Sequence, residues 1–165
     1  MNKTTNIAKG GLSLALIIIL VYIASLAPSS KLTILTISSA VIPYSIITTN
    51  AKNSLIVYVA ASILSLILIG PKAETIAYVI FFGLYGFLKY FIEKLNKAVF
   101  EIILKLAYFN ASLFILYTFY SKLFTASIPE GFPIYLLVIG AQVVFFVYDY
   151  ALSIIIHYIR KRFVK

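Results

Sequence analysis

The chain has 165 residues, of which 62% are hydrophobic and 12% charged, with a mean hydropathy of +1.04. Soluble domains carry about a quarter charged residues, so a water-soluble fold is excluded and an integral membrane protein is expected. The net charge of +9 has no soluble stretch long enough to serve a nucleic-acid-binding domain, so anionic lipid headgroups are its expected partner; without cysteine, disulfides and thiolate metal sites have no basis.

In the first half Lys9, Lys31, Lys52 and Lys72 punctuate the chain, leaving uncharged runs of 21, 20 and 19 residues. A helix needs about 20 apolar residues to cross the hydrocarbon core. The first three spans are therefore placed at 10–27, 32–48 and 54–70. The first of them ends in "SLA" before Pro28, which resembles a signal-peptide cleavage site. The five spans that follow favour a retained helix. A fourth span is expected at 75–92, with Lys89 close enough to its end to snorkel. The fifth covers 99–121, and the sixth runs from 134 to 158 after "PEGFP". The expected fold is all-α: one bundle of six transmembrane helices over residues 1–165.

Orientation follows from where lysine and arginine fall. With the N-terminus in the cytoplasm, eleven basic residues lie inside and three, Lys31, Lys72 and Lys122, outside. Both termini are then cytoplasmic.

Enzyme signatures are missing. No Gly-rich phosphate loop is present, and the five acidic residues Glu74, Glu93, Glu101, Glu130 and Asp149 are scattered. The lone histidine, His157, beside "RKR" reads as an interface residue. No catalytic residue, metal ligand or cofactor is expected. Ion-coupled transporters usually carry several ionisable groups or broken helices within the membrane. Here only Lys105 and Asp149 are expected at membrane depth, and Pro43 is the sole proline inside a span. Both charges lie roughly 10–12 Å along their helices from the inner boundary, so a structural ion pair is expected.

Polar groups in the outward halves of the spans, Tyr78, Asn110 and Gln142 among them, are candidates to line a ligand pocket. Asn110 and Gln142 come within about 5 Å of the same depth. An amide in hydrocarbon is costly unless paired, so the two either bond each other or face a polar cavity. Gly11 and Ala15, four apart in "KGGLSLA", allow close backbone approach, within the bundle or to a partner helix. In "KYFIEKLNKAVFEIILK" charges of alternating sign recur every four residues from Lys89 to Lys105. The stripe is read as two helix ends turning at Asn96, with an interfacial helix as the alternative.

Six short-looped helices, cytoplasmic termini and basic inner ends resemble the substrate-binding S component of an energy-coupling factor transporter. Such proteins often carry Ala-xxx-Ala on the first helix for docking onto a coupling subunit; Gly11 and Ala15 stand there instead. "FFGLYGFLK" and "KLAYFN" are also similar to stretches in small bacterial membrane proteins of like layout. The resemblance implies uptake of a vitamin-like micronutrient across a bacterial plasma membrane. Substrate would bind near the outer face beneath "APSSK", with "GPKAE" and "SKLFTASIPEGFP" beside it. Lys31, Lys72 and Glu74 would be the nearest charged groups, and separate ATPase and coupling subunits would supply energy. The alternative is a small membrane scaffold or accessory subunit, which shares the small-residue face and charged inner surface but needs no pocket.

Overall fold

The computed structural model describes residues 3–95, 97–123 and 134–163. Its helices are α1 (Lys3–Leu26), α2 (Lys31–Thr48), α3 (Ala51–Leu68), α4 (Ala73–Ala77), α5 (Gly83–Glu93), α6 (Ala98–Leu123) and α7 (Ile134–Phe163). A π-helical turn over Tyr78–Phe82 joins α4 to α5 into one membrane-length segment. Six segments are thus long and apolar enough to cross a membrane, and six crossings return the chain to its starting face. Asn96 and the loop 124–133, which contains Glu130, lie outside the described residues.

Local chemistry sets the helix ends. Asn50 caps α3, its side-chain oxygen accepting from the Asn53 amide at 2.8 Å. At the other end Gly70 takes a φ of +87°, and Pro71 follows. Glycine adopts that left-handed backbone without penalty, and proline blocks continuation of the helix. Between Glu93 and Ala98 the helix breaks, so the charged stripe from Lys89 to Lys105 belongs to two helices.

α2 and the α4–α5 segment are the most buried spans and form the centre. α1 packs on α2 and α3, α7 packs on α2, and α6 packs on α5 and the π turn. Ile17, Val21 and Ala24 of α1 are fully buried, so the segment once comparable to a signal peptide is part of the core. Pro43 has no amide hydrogen for the carbonyl of Ser39, four residues back. That carbonyl lies against Gly86, so close that a Cβ there would stand 2.6 Å from the oxygen. α2 and α5 therefore cross at a point that only glycine permits.

The π turn departs from the expectation of unbroken helices. Its wide hydrogen bond runs from the Gly83 amide to the Tyr78 carbonyl, five residues back. The carbonyls it loosens are met by phenols from other helices. The Tyr58 hydroxyl of α3 donates to Val79 at 2.8 Å, and the Tyr108 hydroxyl of α6 donates to Ile80 at 2.8 Å. These two hydrogen bonds tie α3 and α6 to the central segment at the π turn.

The orientation has a direct check, since the native chain lacks cysteine. Single cysteines at Ser30 and Ala73 should react with a membrane-impermeant maleimide on intact cells, and one at Lys52 only after permeabilisation. Reaction at Lys52 on intact cells would reverse the assignment of faces.

Candidate functional site

Toward the basic face of the bundle, α5, α6 and α7 bring four charges together. Asp149 of α7 accepts from Lys89 through Oδ1 and lies 2.9 Å from Lys105 through Oδ2. Lys89 also reaches Glu93 at 2.7 Å and donates to the Ser153 hydroxyl at 2.8 Å; Lys105 meets Glu93 at 3.1 Å. The Tyr85 hydroxyl donates to the same Asp149 oxygen. Two cations and two carboxylates cancel, as charges removed from water require. The cluster ties three helices together.

This corrects two sequence expectations. Lys89 does not snorkel: its side chain is fully buried and turned into the bundle. Nor are Lys105 and Asp149 alone, because Lys89 and Glu93 join them. The position of Lys89 near its helix end does not fix where its charge goes, because a four-carbon stem moves the ammonium well away from its Cα. The signal was present in the spacing: Tyr85, Lys89 and Glu93 recur every four residues and share one face of α5.

Toward the opposite face lies a cavity of about 370 Å³ between α2, the π turn, α6 and α7. Phe81, Phe82, Phe109, Phe145 and Tyr148 wall it, with Leu113 and Ala141 among the smaller residues. The Phe109 and Phe145 rings stack at 4.4 Å, and Phe81 packs edge-on to Phe109 at 5.7 Å. Such contacts hold the wall together beyond simple area burial. The Tyr148 hydroxyl is committed to Ser39 at 2.9 Å, which leaves the lining predominantly apolar.

The charged candidates sit near this cavity without lining it. Lys31 and Glu74 pair at 2.6 Å. Leu32 and Ala77, which do line it, lie one and three residues away along their helices. The ion pair therefore stands within a helical turn of the cavity at its Leu32–Ala77 end, whereas Lys72 is exposed.

The amide candidates behave otherwise than expected. Asn110 is exposed and donates to the Leu106 carbonyl of its own helix at 2.8 Å. Gln142 is half-buried, and among the described residues no hydrogen bond joins the two. Neither lines the aromatic cavity. The reason is azimuth: Phe109 and Ala141 face the cavity, and one residue further along a helix points about 100° away. An asparagine that bonds back to its own helix needs no partner at its depth.

Tyr78 is fully buried but turned toward α3, beside Tyr58 and Gly83 rather than into the cavity. Among the described residues its hydroxyl makes no hydrogen bond, and neither do those of Ser65 and Thr75. Elsewhere most serines and threonines bond back to carbonyls of their own helix, as Ser13, Thr36 and Thr48 do.

Gly11 and Ala15 point away from the bundle; among the described residues a Cβ at Gly11 would meet nothing within 4 Å. The close intramolecular approach belongs to Gly10, where a Cβ would stand 2.7 Å from Asn53. The small-residue pair is left facing outward.

No protein-family model matches the chain, and no curated protein or solved structure matches it significantly.

Proposed function

We propose that the chain is a membrane-embedded substrate-binding subunit for uptake of a small, vitamin-like molecule, energised by separate coupling and ATPase subunits. The observation that carries this reading is the aromatic cavity of about 370 Å³ in the half of the bundle opposite the charge cluster. Its volume suits a small ligand, and its walls suit a largely apolar or planar one. The Lys31–Glu74 pair near its outer end offers a polar handle. The outward Gly11–Ala15 face supports docking of a coupling subunit in the plasma membrane, where close backbone approach needs small side chains.

Native mass spectrometry of the protein purified from its expressing cells tests this. A bound small molecule is expected with the parent chain. Ala141→Phe, which fills the cavity from α7, should lose it while thermal unfolding stays close to parental. Retention in the filled variant would move the ligand elsewhere. A parent chain that carries nothing, even after incubation with cell extract, would favour the scaffold reading, which uses the same α1 face and needs no cavity.

A further inference from the structure

A second cavity, of about 250 Å³, opens at the basic end of the bundle and is lined by Pro43, Tyr90, Glu93, Lys94, Ile156 and Arg160. Its charges are unbalanced. Among the described residues Glu93 is the only carboxylate in the lining, and it is already matched by Lys89 and Lys105. Those two lysines are themselves matched by Asp149. The four-charge cluster is neutral without help, so Lys94 and Arg160 are left over. Among the described residues neither forms a salt bridge. Two cations beside a half-enclosed hollow, with a tyrosine in its wall, make a receptor for an oxyanion.

An adjoining feature narrows the ligand. Lys94 also borders a shallow, open apolar surface formed by Phe91, Ile92 and Leu95. A charged hollow and an open apolar surface therefore meet at a single lysine, at the end of a membrane-spanning helix. A free phosphate would use only the first. A phospholipid would use both, its phosphate between Lys94 and Arg160 and an acyl chain along Phe91 and Leu95. We propose that this end of the bundle binds an anionic phospholipid of the adjacent leaflet through its phosphate. Basic pockets between helices are a recurrent way of holding such headgroups.

The test uses the full-length protein in detergent, offered equimolar phosphatidylglycerol and phosphatidylcholine, with retained lipid read by native mass spectrometry. The parent should keep phosphatidylglycerol in preference. Lys94→Gln with Arg160→Gln should weaken that retention by on the order of tenfold or more, as loss of two phosphate-facing cations requires. Lys161→Gln with Arg162→Gln removes equal charge from exposed positions outside the lining and should retain the lipid. Three results would overturn the proposal. They are unchanged retention in the first double variant, an equal loss in the second, or displacement of phosphatidylglycerol by millimolar inorganic phosphate. Lys94 and Arg160 are both exposed, so their replacement leaves the core untouched.

Discussion

Asp149→Asn should lower the unfolding free energy by about 3–5 kcal/mol, the cost typical of removing one member of a buried ion pair. It leaves Lys89 and Lys105 sharing Glu93 alone, with an uncompensated positive charge inside the bundle. Lys89→Met should cost a similar amount, since its ammonium is fully buried and its loss strands a carboxylate. Lys105→Met should cost less, because that side chain keeps 10% exposure and Asp149 retains Lys89 and Tyr85. The doubles are informative. Lys89→Met with Asp149→Asn leaves the Lys105–Glu93 pair at 3.1 Å, and Lys105→Met with Asp149→Asn leaves Lys89–Glu93 at 2.7 Å. Both leftovers are neutral, so each double should be more stable than the sum of its singles predicts. Unfolding in mixed micelles, followed by circular dichroism, gives the four-member cycles. Strict additivity in both would mean that these charges do not share one site.

Gly86→Ala should destabilise by about 1–3 kcal/mol, in the range of overpacking a tight contact, and Gly86→Leu by more. The new Cβ would stand 2.6 Å from the Ser39 carbonyl oxygen and 3.0 Å from the Pro43 ring. Neither neighbour is a flexible side-chain end, so α2 and α5 must separate. Tyr85 precedes Gly86 and Lys89 follows within a turn, so the separation would also disturb the charge cluster. Gly11→Ala and Gly140→Ala provide the contrast, because among the described residues a Cβ at either meets nothing within 4 Å. Both should gain up to about 1 kcal/mol from the better helix propensity of alanine. The opposite signs distinguish a crossing point from a general intolerance of larger residues. A neutral Gly86→Ala would show that the two helices are free to move apart.

The sequence and the structure divide the description of this protein along a physical line. The crossing segments follow from runs bounded by Lys9, Lys31, Lys52 and Lys72, because each residue meets the boundary between water and hydrocarbon on its own account. Depth is a one-dimensional property, and no partner is needed to read it. Direction around each helix axis is different, because it depends on which neighbours pack where. Phe109 enters the aromatic cavity while Asn110, one residue on, faces outward. Gly10 packs on Asn53 while Gly11 is left free. The π turn adds a further displacement after Tyr78, so periodicities read across it lose their phase. The sequence by itself determined that the chain is an all-α membrane protein of six spans with a strongly asymmetric basic charge. Only the tertiary structure decided that Lys89 turns inward to Asp149, and that an aromatic cavity rather than an amide pair occupies the opposite half. A long side chain's reach and a cavity's walls are properties of several helices together, which no single stretch of chain encodes.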